Sequence, residues 1–395
     1  MTLDRRSFIK VLGSASGLAL AGCAAQGPVG STTEIMPKGA TRRVVVVGGG
    51  FGGAIAAKYI RMLDKSIEVV LVEQNRQFIS CPFSNFYIAG LMNDMSTLTI
   101  GYDKLAANHG IKMVYGVATA VDPAAKKVVT TEGTLTYDRL IVSPGIDFRN
   151  EEVEGYTADS ANTIPHAWKA GAQSTLLRNQ LQAMPDGGKV IISMPLVPYR
   201  CPPGPYERAS LIANYLKKHK PKSKVILLDA NADVVAKKPL FMKAWSTYYK
   251  GIFEYIPGKK VTAVDVANRT LLVEGIEEFK GDVVNFIPPQ RAAAIAAKAG
   301  LVGEDKKWCP VNVTTFESTL QKNIHVIGDS AIAGAMPKSG YSANSQAKVC
   351  AINLVALMNG KELTELSGIN VCYSAISDHE SISVAGVYAV KEGKI

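Results

Sequence analysis

The pattern of apolar residues predicts a strand–helix–strand unit near the start of the chain. An apolar strand over residues 43–47 runs into a glycine-rich turn, a helical pattern covers 54–63, and a second apolar strand over 67–72 ends at Glu73. Short, unbroken apolar runs are typical of strands buried on both faces of a parallel sheet. We therefore expect a βαβ unit here.

The turn after the first strand has the glycine spacing of a dinucleotide-binding fold. Gly48, Gly50 and Gly53 form G-x-G-x-x-G, where the first two glycines let the backbone approach a pyrophosphate and the third lets helix and strand pack closely. Phe51 lies inside the same turn and is included among the predicted cofactor-binding residues. Glu73 is placed to bond a ribose 2′-hydroxyl, which favours FAD or NAD over NADP.

Two later strands make FAD the better expectation. The strand over 139–142 runs into a turn ending at Gly145, which in such folds closes the first nucleotide domain. The strand over 323–327 ends in Gly328 and Asp329, and an Asp at such a point commonly bonds the ribityl chain of FAD.

A second strand–helix–strand unit lacks the nucleotide fingerprint. Its strand covers 189–193, its helix 207–218 and its next strand 224–229. The turn over 194–205 contains several prolines, which have no N–H to donate, and lacks the glycine spacing. We therefore predict a nucleotide-type domain without a nucleotide, and no reduction by NADH or NADPH.

The first two dozen residues resemble a twin-arginine export signal. Arg5 and Arg6 precede an apolar stretch over 11–21 that is too short to span a bilayer. Cys23 follows in a sequence typical of lipoprotein processing, although simple cleavage nearby explains the small residues equally well. We expect a periplasmic protein, either released or lipid-anchored at Cys23, with no transmembrane segment in the mature chain.

Charge and cysteine spacing exclude several function classes. The 395 residues carry a net charge of +10 without a concentrated lysine run, so nucleic-acid binding is not indicated. The six cysteines form no C-x-x-C or C-x-x-C-H motif and the five histidines are scattered, which argues against a metal site and a covalent haem. On these grounds alone, a structural disulfide is the expected role of cysteines in an exported protein.

Several segments together carry a family resemblance. Almost the whole chain after the signal resembles the flavoprotein subunit of flavocytochrome c sulfide dehydrogenase, in the segments 44–53, 79–85, 199–210, 308–311, 325–329, 336–346 and 372–374. The resemblance implies an α/β fold with two Rossmann-like nucleotide-binding domains of the disulfide-reductase flavoprotein type plus a short C-terminal segment. The expected division is a signal over 1–25, a linker over 26–41, an FAD-binding domain over 42–155 and 285–365, a second domain over 156–284 and a C-terminal segment over 366–395.

The resemblance also implies the roles of individual residues. Cys81 matches the cysteine that links covalently to FAD, while Cys201 and Cys372 match the two halves of a redox disulfide. Glu207 lies beside that disulfide in the family and could act as a base. The remaining predicted flavin contacts are Lys338, Ser339 and Gly340, which precede a helical pattern over 343–357 whose N-terminus would favour a negative charge.

The implied reaction is the oxidation of sulfide. A hydrosulfide anion attacks the Cys201–Cys372 disulfide, and two electrons pass to FAD. Because the chain has no haem motif, the electron acceptor would be a separate c-type cytochrome subunit or soluble cytochrome c.

Two alternatives stay open. A sulfide:quinone reductase would require an amphipathic membrane-facing segment, which residues 375–395 do not offer. A non-catalytic flavin-bearing or sulfur-carrying subunit has its best support in a C-terminal segment shorter than that of the family, and the retention of Cys81, Cys201 and Cys372 argues against it.

Overall fold

The computed structural model describes residues 33–274 and 277–395. The predicted export signal and Cys23 lie outside the described residues. Within the described ranges, no helix is both long and apolar enough to cross a membrane.

Strands and helices are numbered in chain order. The first part of the chain contains β1 (Arg43–Val47), α1 (Gly53–Leu63), β2 (Glu68–Glu73), β3 (Gln77–Ile79), α2 (Ser84–Ile88), β4 (Thr99–Gly101), α3 (Asp103–His109), β5 (Lys112–Tyr115), β6 (Ala118–Asp122), β7 (Lys127–Thr130), β8 (Thr134–Thr136), β9 (Arg139–Val142) and β10 (Ile146–Phe148). The middle part contains α4 (Ala172–Ala183), β11 (Lys189–Met194), α5 (Gly204–His219), β12 (Lys224–Asp229), α6 (Lys238–Tyr248), β13 (Phe253–Pro257), β14 (Val261–Asp265), β15 (Thr270–Val273), β16 (Glu278–Lys280) and β17 (Val283–Phe286). The last part contains β18 (Gln290–Ala292), α7 (Ala294–Lys298), β19 (Cys309–Pro310), β20 (Ile324–Val326), β21 (Ala331–Ile332), α8 (Gly340–Met358), β22 (Gly368–Ala375) and β23 (Ser381–Tyr388).

The first nucleotide-type sheet has five parallel strands in the order β20-β9-β1-β2-β5. Its central strand β1 is buried along its whole length. Helices α1 and α8 pack together on one face, where Ile60 and Leu354 belong to the same apolar cluster. The strand that precedes Gly328 comes from the last third of the chain, so the sheet joins two distant segments around the glycine turn.

The second sheet repeats this design with four parallel strands in the order β13-β12-β11-β17. Strand β17 pairs with β11 and runs to Phe286, so it crosses the boundary that the sequence predicts between residues 284 and 285. Helix α5 begins at Gly204, three residues before the predicted start, because Pro205 is tolerated in a first helical turn.

Antiparallel elements complete the fold. Strands β6, β7 and β8 form one three-stranded sheet and β14, β15 and β16 another. The segment after residue 366 forms a long hairpin in which β22 and β23 pair, with Cys372 opposite Val384. This hairpin brings Cys372 to the body of the protein next to α5.

Candidate active site

The glycine turn leaves room for a ligand at one glycine and is tightly packed at the other two. A Cβ at Gly48, whose φ is +96°, would lie 2.3 Å from the Ser143 carbonyl oxygen. A Cβ at Gly53 would lie 1.8 Å from the Gly48 carbonyl oxygen. A Cβ at Gly50 would meet nothing closer than a Phe78 ring carbon at 3.6 Å. The open side at Gly50 fits a pyrophosphate at the N-terminus of α1.

Glu73 is fixed at the edge of this turn. Its Oε2 accepts a hydrogen bond from the Gly49 amide at 2.7 Å, and its Oε1 accepts one from the Asn75 amide at 2.9 Å. The carboxylate therefore lies where the second strand ends, beside the predicted cradle. Its bond to a ribose stays a prediction.

Buried polar atoms without protein partners surround the predicted ribityl site. Asp329 Oδ1 is buried and has no hydrogen-bond partner among the described residues, and the same holds for Arg200 Nε, Gln290 Nε2 and Trp308 Nε1. Burial raises the pKa of Asp329, while the charges of Arg200 and Lys338 oppose that rise. Orphaned buried groups are rare because each costs free energy, so these atoms fit a polar cofactor such as FAD.

The turns at Gly145 and Gly328 frame this region. Gly145 has a φ of +70° and nothing within 4 Å of a built Cβ, and its carbonyl accepts a hydrogen bond from Ser330 Oγ at 2.5 Å. Gly328 has a φ of +78°, and its amide donates to Gln346 Oε1 at 2.8 Å. Both glycines adopt left-handed conformations that other residues rarely take.

The start of α8 lies beside the predicted flavin contacts. Ser339 caps the helix, since its Oγ accepts the Ser342 amide at 3.0 Å, and this cap places the helix start at Gly340 rather than at the predicted Ala343. A Cβ at Gly340 would lie 2.9 Å from a ring carbon of Phe51. Two of the predicted cofactor-binding residues, one from the glycine turn and one from the start of α8, therefore pack directly together.

Lys338 is hydrogen-bonded both to Asp329, in the predicted ribityl site, and to Cys201, in the predicted redox pair. Its Nζ donates to the Asp329 carbonyl at 2.9 Å, and its own carbonyl accepts the Cys201 amide at 2.7 Å. Its ammonium lies 3.7 Å from the centre of the Trp308 ring. Burial lowers the pKa of Lys338 to about 8, which is above neutrality and keeps the side chain a cation there.

Three of the predicted cysteines converge. The five described cysteines are free thiols, and Cys201 lies within electrostatic reach of both Cys81 and Cys372. Cys201 has a left-handed φ of +59° just before α5. A Cβ at Gly204 would lie 2.9 Å from Cys201 Sγ and 2.7 Å from the Trp168 ring, so a glycine is required where the thiol folds back on the helix.

The two thiols of the predicted redox pair have different surroundings. Burial, followed by the charges of Cys372, Glu207 and Cys81, raises the pKa of Cys201 well above its usual value. Burial also raises the pKa of Cys372, but the Lys237 ammonium opposes this rise. A negative charge is therefore better tolerated on Cys372 than on Cys201.

Glu207 connects the segments that carry the three cysteines. Its Oε2 accepts from Asn85 Nδ2 at 2.7 Å, and its Oε1 accepts from the Ala375 amide at 2.8 Å. Asn85 follows Cys81, whereas Ala375 follows Cys372. Burial raises the pKa of Glu207, and these two hydrogen bonds limit the rise.

A buried arginine fixes the asparagine that donates to Glu207. Arg208 is fully buried and donates from Nε to Asn85 Oδ1 at 2.9 Å, while its guanidinium lies 4.9 Å from the centre of the Trp168 ring. It also donates to the carbonyls of His166 and Ala167. Asn85 is thus held between a cation and an anion in one fixed orientation.

The remaining described cysteines lie elsewhere. Cys309 is buried in β19, where burial raises its pKa to about 12, and Cys350 is buried in α8. In the described residues no group of histidine, cysteine and carboxylate side chains could hold a metal ion.

The sequence interpretation did not assign functions to Asn85, Arg208 or Lys237. Asn85 lies within the family-like stretch 79–85 and Arg208 directly follows Glu207. Both positions could therefore have been included among the predicted site residues from the sequence. Lys237 lies in no recognised motif. Its approach to Cys372 depends on the packing of the hairpin against the second sheet.

The fold and the site together define a flavoprotein of the disulfide-reductase class. The pyridine nucleotide-disulphide oxidoreductase model matches residues 42–178. Among solved structures, the sulfide:quinone oxidoreductase of Aquifex aeolicus superposes with a TM-score of 0.73 at 20% identity, covering 88% of this chain and 87% of that one. A putidaredoxin reductase, solved in covalent complex with putidaredoxin, gives 0.69 at 20% identity, covering 88% and 82%.

More specific matches cover the middle and the end of the chain. The central-domain model of the sulfide dehydrogenase [flavocytochrome c] flavoprotein chain matches residues 174–288, and the flavin-binding model of flavocytochrome c sulphide dehydrogenase matches 365–395. The corresponding flavoprotein chain of Chlorobaculum thiosulfatiphilum is 69% identical over 45 residues, which are 11% of this chain and 94% of that sequence. The mitochondrial sulfide:quinone oxidoreductase of Dictyostelium discoideum is 20% identical over 328 residues, 79% of this chain and 70% of that one. The chain belongs to the family of flavocytochrome c sulfide dehydrogenase flavoprotein chains, FAD-dependent oxidoreductases that act on sulfide.

Proposed function

We propose that this protein oxidises sulfide at the Cys201–Cys372 pair, holds FAD covalently through Cys81, and delivers electrons to a c-type cytochrome. The observation that carries the proposal is the convergence of the three cysteine segments on one buried carboxylate, Glu207. It lies on the helix that follows Cys201 and accepts hydrogen bonds from Asn85, after Cys81, and from Ala375, after Cys372. A structural disulfide would need none of these neighbours.

The chemistry assigned to the cysteine pair is thiol–disulfide exchange. In the oxidised pair, HS⁻ attacks one sulfur, the Cys201–Cys372 bond breaks, and a persulfide forms on one residue while the other takes the electron pair as a thiolate. Glu207 would accept the proton of the new persulfide, because burial raises the pKa of its carboxyl and its charge acts on both sulfurs. FAD, when bound, supplies the two-electron acceptor that reoxidises the pair.

The remaining residues would hold the cofactor. Gly48, Gly50 and Gly53 would form the pyrophosphate cradle, and Asp329 would bond the ribityl chain. Cys81 lies in the loop between β3 and α2 and reaches the region of Cys201, so it supports a covalent attachment near the redox pair.

An anaerobic sulfide titration tests the proposal. Sulfide should bleach the flavin spectrum of the holoprotein, and Cys201→Ser and Cys372→Ser should each abolish that bleaching while dithionite still reduces the flavin. Cys350→Ala is the matched control, because this buried cysteine lies outside the cluster, and it should bleach as the wild type does. Bleaching that persists in both serine variants would refute the mechanism.

A quinone is the second candidate acceptor. The hairpin exposes apolar side chains on one face, since Tyr373 and Val387 are 70% and 73% exposed and Ile369 is also exposed. An apolar face could meet a membrane, as a sulfide:quinone reductase requires. Sulfide-reduced protein should be reoxidised by cytochrome c and not by a soluble quinone; the opposite preference would select the quinone.

We further propose a periplasmic location after export by the twin-arginine signal, with Cys23 as a candidate lipid anchor. This proposal rests on Arg5 and Arg6 before the short apolar stretch. Fractionation of cells that express the wild type and the Arg5→Lys/Arg6→Lys variant tests the export. Equal periplasmic amounts would contradict it, and the mass of the mature N-terminal peptide would show whether Cys23 is lipidated.

A further inference from the structure

A lysine outside the predicted site is hydrogen-bonded to the strand that carries one of the two redox cysteines. Lys237 directly precedes α6 and adopts a left-handed φ of 57°. Its half-buried side chain enters the hairpin, where Nζ donates to the Cys372 carbonyl at 2.7 Å, to Ser374 Oγ at 2.9 Å and to the Ile382 carbonyl at 3.4 Å. The ammonium group is thus fixed against the strand that carries Cys372.

This cation has no direct carboxylate partner. Its three hydrogen-bond acceptors are two carbonyls and a hydroxyl, all uncharged, and no carboxylate among the described residues forms an ion pair with it. The titratable groups that act on it are Cys372, Glu207 and Cys201. Burying part of a charge without a counter-ion costs free energy, and an anion that forms nearby would offset that cost.

Its neighbour Lys238 is the opposite case. The Lys238 side chain is 53% exposed and forms an ion pair with Asp233. Two adjacent lysines therefore differ in burial, partner and direction, although the sequence makes them look equivalent.

We propose that the positive charge of Lys237 attracts the hydrosulfide anion to Cys372 Sγ and stabilises the negative charge of the resulting persulfide. The inference rests on the proposed function, because it assigns the attacked sulfur in the same disulfide exchange. The bond between the incoming sulfur and Cys372 Sγ forms as the Cys201–Cys372 bond breaks, and Cys201 leaves with the electron pair. The proton of HS⁻ passes through Glu207 to the Cys201 sulfur, so the negative charge rests on the Cys372 persulfide beside Lys237.

The surroundings of the pair support this direction of attack. Glu207 acts on both sulfurs, and the charges of Cys81, the proposed flavin attachment, and Arg200 also act on Cys201. Lys237 differs from Arg200 because its ammonium is hydrogen-bonded to the carbonyl of Cys372 itself. Cys372 is therefore the sulfur on the Lys237 side, and Cys201 is the sulfur on the flavin-attachment side.

Alkylation of Cys372 by a charged and a neutral reagent measures the effect of the Lys237 charge without using sulfide chemistry. In a Cys201→Ser background, the holoprotein is treated with iodoacetate, an anion, or with iodoacetamide, its neutral analogue, and peptide mass spectrometry follows the modification of Cys372. Lys237→Gln should lower the ratio of the iodoacetate rate to the iodoacetamide rate by roughly tenfold, since a partly buried charge is screened much less than an exposed one. Lys237→Arg should keep the ratio, and Lys238→Gln should leave it unchanged.

Sulfide kinetics then test the role in the reaction. With Cys201 intact, Lys237→Gln should raise the sulfide concentration for half-maximal bleaching rate by roughly tenfold and change the maximal rate less, because ground-state anion binding is lost. Lys237→Arg should largely restore the wild-type value. Lys237→Met, which keeps the unbranched stem, serves as the second neutral variant if Lys237→Gln does not fold.

The outcomes separate the two proposals. An alkylation ratio that is equal in wild type, Lys237→Gln and Lys237→Met would overturn the assignment of Lys237, whatever sulfide does. If Lys237→Gln lowers the alkylation ratio as expected but sulfide never bleaches the wild-type flavin, the proposed function is refuted and hydrosulfide is not the anion. An unchanged sulfide dependence in both neutral variants would also overturn the inference.

Discussion

Asn85→Ala should destabilise the protein and perturb the site at the same time. The substitution removes the acceptor of Arg208 Nε at 2.9 Å and the donor to Glu207 Oε2 at 2.7 Å, while both charged groups stay buried. Hydrogen bonds to charged groups contribute about 1.5–3 kcal/mol each, so the loss of two predicts a decrease in the free energy of unfolding of about 3–6 kcal/mol. The cost is high because a charge left buried without its partner is worse than a pair removed together.

The assay is thermal unfolding of the holoprotein, followed by circular dichroism and flavin fluorescence. Asn353→Ala is the matched control, because Asn353 is also a buried asparagine with several hydrogen bonds, but its partners are the neutral backbone groups of Thr314 and Thr364. Asn353→Ala should lower the melting temperature less and leave sulfide bleaching unchanged per folded molecule. An Asn85→Ala protein that melts with the wild type, within about one degree, would refute the reasoning on charged partners.

Three further outcomes follow from the site. Cys81→Ala should release the flavin on acid precipitation, whereas the wild-type pellet should stay yellow; flavin that washes out of the wild type would show that Cys81 is not the attachment. Stoichiometric NADH should leave the flavin oxidised under anaerobic conditions, because the turn over 194–205 lacks the glycine cradle, and rapid bleaching would contradict this. Glu207→Gln should remove the acid limb from the pH profile of the maximal sulfide-dependent rate. In the wild type that limb should lie above pH 4.5, because burial raises the pKa of the Glu207 carboxyl and the carboxylate stops acting as a base when the pH falls through that pKa. An acid limb that is unchanged in Glu207→Gln would show that another group causes it.

Much of the fold was predictable because buried parallel strands have an unambiguous sequence pattern. The strands at Arg43–Val47, Arg139–Val142 and Lys224–Asp229 begin and end where the apolar runs do. Helix α8 begins three residues before the periodic pattern, because Ser339 supplies a cap that apolar periodicity does not register. Strand β17 crosses the predicted domain boundary, since the sequence shows that a strand is present but not which sheet it joins.

The site was predictable as far as motifs reach. The glycine turn and Asp329 follow from local patterns, and the roles of Cys81, Cys201 and Cys372 came from the family resemblance. The contacts of Glu207 were not predictable, because Asn85 and Ala375 approach it from segments more than one hundred residues away in sequence. The same applies to Lys237, whose position beside Cys372 exists only once the hairpin is packed.

Glu207 has two roles in this site, because it holds two segments by hydrogen bonds and is also the proposed base. Its two carboxylate oxygens receive hydrogen bonds from the segments that follow Cys81 and Cys372, and Glu207 itself lies on the helix that follows Cys201. An amide at this position has a single acceptor oxygen, and Asn85 cannot reverse its own amide to compensate, because Arg208 already donates to Asn85 Oδ1. Glu207→Gln should therefore loosen one of the two segments as well as remove a base. Because Asn85→Ala loosens the Cys81 segment and keeps the carboxylate, a comparison of the two variants separates the effects: a loss of stability common to both belongs to the network, and a loss of the acid limb confined to Glu207→Gln belongs to proton transfer.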